Sequence, residues 1–445
     1  MENTMYAGFH STVITPYIGM NIPGYYYARY ADGVETDLEM RAAAFACGEE
    51  KAVIFNCETV GIRASAFDQI KVKVAEKCDI SPDAIYINCV HSHTSVRIVD
   101  ADNSLTDMDI YLNRLYQQFA DCAWYAFRDL KPCTLEMAVG KAENAAFVRK
   151  YRMKDGSAKT NPKSCDPEIE GPIGSPDESV PVIRVRREDA KEILIVGFAA
   201  HADMIGGTKF TPDWPGYLVH ALNRVLDGEV HTMFLLGAEG NVGTRNAITP
   251  EVGVPGSKGV ARAKAMARRV AAEVLRIYDT TKPVASDSIA YAHKYVQVGK
   301  NSYDPAQLPM VEEIVKIYHE KGIKAEELKE YPMKAQEALR IKANLTRPEF
   351  FNLRISGLRL GEIALVGIPG EPFSSIAFDI KAASPIPLTV VNACTNGSEG
   401  YYPDEQSYQE PGYSYERAAS PFASNCAAVL TEGALKVLEE LKQSQ

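Results

Sequence analysis

Residues 84–95 read "AIYINCVHSHTS". A short, continuous, β-rich apolar run ends here in two histidines, His91 and His93, two positions apart. Runs of this length without polar alternation read as strands covered on both faces of a sheet. Residues i and i+2 of a strand share a face, so the two imidazoles are expected to emerge together where the strand ends. Histidine is scarce in this chain, at 8 of 445 residues. For such a pair alone, one buried and one exposed hydrogen-bonded ring is the ordinary outcome. Imidazole is also the commonest metal ligand, which is the sharper alternative.

The same pattern recurs. "KAVIFNC" at 51–57 is a further buried strand without such an ending, whereas "EILIVGFAA" at 192–200 runs straight into His201, with Asp203 two residues on. "HTMFLLG" at 231–237 is followed by Glu239 and Asn241, and "EIALVGIPG" at 362–370 by Glu371. Helical spacing is clear from about 104 to 130, where Leu105, Met108, Leu112, Leu115, Phe119, Cys122 and Ala126 recur at three and four. Further helices are expected at about 257–278, 306–340 and 413–442. The Pro-, Gly- and charge-rich stretch 151–181 reads as a long surface excursion. Strands alternating with helices predict an α/β fold, with mixed sheets covered by helices in one large catalytic-type domain. Any one polar strand end is a turn or cap by default; four together are not. If these strands are parallel neighbours, their carboxyl ends converge on one crevice. Two histidines and a carboxylate with an open fourth position form the ligand set of a catalytic zinc site.

Composition removes other classes. The chain is 46% hydrophobic and 24% charged with a net charge of −10, which offers no basic footprint for nucleic acid. No apolar run approaches the length of a membrane span. The nine cysteines are dispersed and several sit inside apolar runs, as reduced buried thiols do. The N-terminal "MENTMYAGFHSTVITP" has neither a basic nor an apolar leader region, so a cytoplasmic location is expected.

Several stretches resemble the catalytic domain of the neutral/alkaline ceramidase family. "GFHSTVITPYIG" is similar to its opening Ile-Thr-Pro segment, and "NIPGYYYARYADGVETDLEMRAAAF" to its Gly-Tyr and Ala-x-Gly segment. "CVHSHTS" stands where the family has a His-x-His strand end, and "GFAAHAD" where it has a second zinc histidine. "TPDWPGY", "GIPGEPF" and "GYYPDEQSYQEPGYSYE" resemble its Asp-aromatic-Pro-Gly, Pro-Gly-Glu and paired-tyrosine segments. The resemblance implies zinc held by His91, His201, Glu371 and Tyr401. It places His93 beside the open metal position, and Arg149 and Tyr413, with Asn241 and Gly243, on the substrate side.

The departures are equally informative. The family's Gly-Asp-Val-Ser-Pro segment reads "GNVGTR" here, with Gly243 in the serine's place and Thr244 next to it. His201 is followed by "ADMIGG" rather than His-Pro, which brings Asp203 close to the metal position. The family's C-terminal immunoglobulin-like domain is not expected in this chain. What the resemblance then implies is hydrolysis of an amide or ester by metal-activated water, with His93 or Asp203 relaying the proton. The expected substrate is a small soluble molecule rather than long-chain ceramide. The alternatives are a zinc hydrolase or lyase acting on a carbohydrate C–O bond, and a non-catalytic metal-containing binding protein.

Overall fold

The computed structural model describes residues 4–102, 106–249 and 258–444. A nine-stranded mixed sheet runs in the order Val230–Leu236, Glu192–Phe198, Ser179–Arg187, Lys131–Lys141, Met5–Val13, Glu39–Cys47, Glu50–Cys57, Ile85–Cys89, with Lys282–Val284 paired to Lys131–Lys141. A second sheet has the order Ile289–Gly299, Phe350–Leu360, Ile363–Gly367, Leu388–Asn392. The two sheets pack face to face and helices cover the outside of each, so the α/β class with mixed, helix-covered sheets holds.

The strand period of two explains the layers. Val53 and Phe55 point into a core shared with the helices Ala64–Cys78, Asp107–Arg128, Asp213–Val225 and Val260–Tyr278. Their neighbours Ala52 and Ile54 point the other way, against Leu358, Leu360, Ile363 and Leu365 of the second sheet. The alternate residues of that sheet, among them Ile355, Ala364 and Val366, pack under the helices Ser374–Ala383 and Cys426–Gln443. None of the described helices is long and apolar enough to cross a membrane.

Buried asparagines join the edges of the large sheet. Asn88 Oδ1 accepts from the Leu236 amide at 2.8 Å, and Asn88 Nδ2 donates to the Ala393 carbonyl at 2.8 Å. Asn396 Oδ1 accepts from the Ile87 amide at 2.8 Å. Side-chain amides thus satisfy edge groups that a buried strand cannot leave unpaired. Ile85–Cys89 and Val230–Leu236 lie at opposite ends of the strand order, yet they meet. The strand ends that carry His91, His201, Glu239 and Glu371 are therefore not four parallel neighbours. Three separate parallel pairs, Glu50–Cys57 with Ile85–Cys89, Glu192–Phe198 with Val230–Leu236, and Ile363–Gly367 with Leu388–Asn392, aim at one place.

The expected helices are shorter than their apolar periodicity. The 306–340 stretch forms Leu308–Lys321 and Ala335–Leu345, broken where Gly322 takes φ 81° and Pro332 follows. These two helices build a small core of their own and reach the main body through Tyr318, whose hydroxyl donates to the Tyr26 carbonyl at 2.8 Å, and through Asn344, whose Nδ2 donates to the Pro421 carbonyl at 3.4 Å. The 413–442 stretch splits into Tyr415–Ala419 and Cys426–Gln443 around Pro421. The proposed helix starts at 104 and 257 lie outside the described residues; the helices there are described from Asp107 and Val260. The 151–181 excursion is partly ordered into Lys150–Met153, Ala158–Thr160 and Ile169–Pro172, which form a small sheet with Gly412–Tyr413.

Candidate metal centre

The strand Ile85–Cys89 stops two residues before His91, which takes the left-handed conformation at φ 64°. Strand alternation is therefore not what aligns the two imidazoles. A turn does, held by the His91 amide on the Thr59 carbonyl at 3.0 Å and the His93 amide on the Ala202 carbonyl at 3.0 Å. A strained non-glycine φ that the surroundings hold in place is common at functional sites. The result is a His93 Nε2 to His91 Nε2 distance of 3.2 Å.

Four chemically suited atoms converge. His91 Nε2 and His201 Nε2 lie 3.3 Å and 3.2 Å from Glu371 Oε2, and His201 Nε2 lies 3.1 Å from the Tyr401 hydroxyl. Glu371 and Tyr401, thirty positions apart, become neighbours because Glu371–Pro372 pairs in parallel with Tyr401–Tyr402. Gly240 supports Glu371 from behind: a Cβ there would lie 2.3 Å from the Glu371 carbonyl oxygen. All four side chains are buried.

The histidine tautomers follow from their outer partners. His91 Nδ1 lies 2.6 Å from the Val60 carbonyl, and His201 Nδ1 lies 2.9 Å from the Glu239 carbonyl and 3.1 Å from that of Val242. A carbonyl accepts only, so both protons sit on Nδ1 and both Nε2 lone pairs face inward. Glu371 Oε2, which they face, is buried without a hydrogen-bond donor. The 3.1–3.3 Å separations compare with the roughly 3.3–3.4 Å between ligands that tetrahedral zinc bonds of about 2.0–2.1 Å require. The donor set fits zinc. Burial opposes ionisation of Glu371; charged His91 and His201 would outweigh burial and hold its carboxyl well below the usual range, and with both rings neutral that role falls to a cation in the cage. Burial, reinforced by Glu371, raises Tyr401, an order that a divalent cation in the cage would reverse.

His93 is the third imidazole. His91, His93 and His201 together form a group able to hold a metal, as do His201, Glu239 and Glu371. His93 Nδ1 is buried without a partner, and the ring borders a cleft of about 750 Å³ that also reaches Tyr401 and Arg149. Asp203 is engaged on both oxygens by Lys258 at 2.9 Å and on Oδ1 by the Tyr25 hydroxyl at 2.5 Å. Burial would raise its carboxyl, but His93, Lys258 and Tyr25 bring it down to about 2.

The substrate-side residues divide. Arg149 reaches the cleft wall, pairs with Glu416 at 3.0 Å and donates to the Gly240 carbonyl at 2.6 Å. Gly243 borders a second chamber on the other side of Arg149. Asn241 is turned away from both, its Oδ1 accepting from the Ser374 amide at 2.8 Å and its Nδ2 donating to Ser374 Oγ at 3.2 Å. Tyr413 pairs with Lys159 through its backbone; its side chain lies outside what is described.

Some neighbours of the site were read from sequence only as a strand end, as Glu239 was, or not at all. Glu239 is fully buried beside Glu371, and Cys394 Sγ lies 3.8 Å from its Oε1. Burial and the Glu371 charge raise the Glu239 carboxyl. Tyr25, Tyr26 and Lys258 line the cleft. The run "GYYYARY" at 24–30 was the available signal for the tyrosines, since three adjacent tyrosines are uncommon in an ordinary loop.

The sequence matches no protein-family model and no curated protein. Solved structures do match. The neutral ceramidase from Pseudomonas aeruginosa superposes with a TM-score of 0.72 at 15% identity, over 99% of this chain and 75% of that one. A ceramidase complexed with C2 superposes at 0.71 and 13% identity, over 99% of this chain and 76% of that one. With the layer order and the convergent strand ends already described, this chain has the fold of the neutral ceramidases.

Proposed function

We propose that the chain is a zinc-dependent hydrolase of C–N amide bonds, acting on a small polar amide rather than on long-chain ceramide. The observation that carries this reading is the convergence of His91 Nε2, His201 Nε2, Glu371 Oε2 and the Tyr401 hydroxyl within 3.1–3.3 Å contacts, with both imidazole lone pairs turned inward. Zinc held there would supply Lewis acidity, polarising the scissile carbonyl and lowering the pKa of water.

The chain's own residues do the rest. His93 borders the cleft with Nε2 facing the cage, and it moves the proton to the leaving nitrogen. Asp203, with both oxygens taken by Lys258 and Tyr25, serves as a fixed anion that orders this wall. Gly243 offers no hydroxyl, so water is the nucleophile. The cleft lining is mixed rather than aliphatic: five tyrosines, Tyr25, Tyr26, Tyr27, Tyr401 and Tyr415, stand beside Asn161, Asp203 and Lys258, and among the described residues Ile323 is its aliphatic member. A long acyl chain calls for a mostly apolar channel.

The test is a panel of N-acyl amides from N-acetyl to long-chain ceramide, assayed on purified protein, after chelation, and after adding zinc back. Zinc-restorable cleavage that favours short acyl groups is expected. Absence of zinc-restorable turnover, or a preference for ceramide, refutes the reading.

A further inference from the structure

Gly243 has no side chain, and the stem of Arg149 covers it. A Cβ at this position would lie 3.1 Å from Arg149 Cγ and 3.2 Å from Arg149 Cδ, so the arginine stem lies against the bare glycine. Next to it is a chamber of about 360 Å³ whose walls include Arg149, Arg245, Lys258, Asp203, Thr244 and the metal-site residue His201. Arg149, Asn161, Asp203 and Lys258 border both this chamber and the main cleft, so a molecule in the cleft can extend into it.

The charges on these walls do not balance. Among the described residues three cationic side chains line the chamber, against the one carboxylate of Asp203. Arg149 is matched by Glu416 at 3.0 Å and Lys258 by Asp203 at 2.9 Å. Arg245 is different. Its Nη1 donates to Ser164 Oγ at 2.8 Å and its Nη2 to the Pro162 carbonyl at 2.9 Å, both neutral acceptors. Among the described residues no carboxylate forms an ion pair with it. Two hydrogen bonds therefore aim the guanidinium without neutralising it, and further N–H donors remain on a rigid fork suited to oxyanions. The hydroxyls of Thr244 and Ser164 border the same space.

We propose that this chamber receives an anionic group of the substrate, a carboxylate or a phosphate, so that the amide cleaved at the metal centre belongs to an acidic molecule. The proposal takes the scissile bond from the amide-hydrolase reading; the anion site itself does not depend on it. A charge-assisted contact of this kind is worth about tenfold or more in affinity.

Calorimetry at fixed ionic strength on the zinc-loaded His93→Gln protein, in which turnover is expected to be about 10²–10⁴-fold slower, tests this as binding. The probes are N-acetylalanine, its methyl ester, and N-acetylated aminoethyl phosphate. At least one of the two anions is expected to bind about tenfold or more tighter than the ester, and the better one names the anion class. Arg245→Gln is expected to abolish that preference and Arg245→Lys, which keeps the charge without the fork, to retain part of it, which separates loss of charge from misfolding. Equal binding of anions and ester, no binding of any probe, or full anion preference in Arg245→Gln overturns the proposal. Anion preference without zinc-restorable cleavage supports the anion site and refutes the hydrolase reading instead.

Discussion

Replacing Glu416 by Gln strands a buried cation beside the proposed metal site. Glu416 is fully buried and the Arg149 side chain is 13% exposed, with Nη2 3.0 Å from Glu416 Oε1. The contact is ionic rather than a directed hydrogen bond, since Oε1 lacks a hydrogen-bond donor while Oε2 accepts from Thr160 Oγ1 at 2.8 Å and Ser414 Oγ at 3.2 Å. At 3.0 Å and an effective dielectric of about 20, the Coulomb attraction is about 5 kcal/mol. Burial disfavours the charged guanidinium, but Tyr401 and Glu416 outweigh burial and hold it protonated. Removing the carboxylate charge leaves Tyr401 and the Gly240 carbonyl to offset the burial of Arg149, and breaking such pairs costs about 3–5 kcal/mol. Glu416→Gln is therefore expected to destabilise the chain by that amount, and Arg149→Met in the same background to recover most of it. The assay is denaturant unfolding followed by fluorescence and circular dichroism, with coincident transitions required before free energies are extracted from a chain of this size. A loss below about 1 kcal/mol for Glu416→Gln, or a double variant no more stable than the single one, refutes the reasoning.

His91→Gln and His201→Gln should each lose stoichiometric zinc by elemental analysis, whereas His93→Gln should keep it and lose about 10²–10⁴-fold in kcat; equal zinc loss in all three would make His93 a ligand. Gly243→Ser should displace the Arg149 stem and cost about 1–3 kcal/mol by overpacking, visible in a crystal structure as a moved guanidinium. Thr244→Ala should leave most hydrolytic activity intact, and a loss of several hundredfold would show that its hydroxyl had assumed the role of the family's serine. His231, stacked on Phe9 with ring centroids 4.3 Å apart, is brought down to about 4 by burial, with Arg187 and Lys191 adding to the effect. The unfolded chain then binds more protons between about pH 6.5 and 4, so the contribution is complete above that window and lost as pH falls through it. His231→Phe should flatten the stability profile in that window; an unchanged slope would dismiss the effect.

The sequence by itself determined the strands and most of the residues at their ends. Runs such as "AIYINCV" and "EILIVGFAA" are legible because both faces of these strands are buried, and burial on both faces leaves an unbroken apolar stretch. His91, His201 and Glu371 follow such runs, so their positions could be read locally. The helix Asp213–Val225 could not, because Pro215 and Gly216 lie in its first turn, and packing of Trp214 and Leu218 in the core overrides their weak propensity. Apolar spacing likewise carried the reading across Gly322 and Pro421, where the chain turns. Tertiary structure alone decided how the strand ends meet. Asparagine side chains close the large sheet, a left-handed turn at His91 aligns the imidazoles, and one short parallel pairing sets Tyr401 beside Glu371. It also decided the charges around the site, pairing Arg149 with Glu416 and leaving Arg245 with neutral partners. Burial is written along the chain as a period that a few residues reveal. Contacts between segments hundreds of residues apart depend on how loops close and sheets curl, and no local pattern records that.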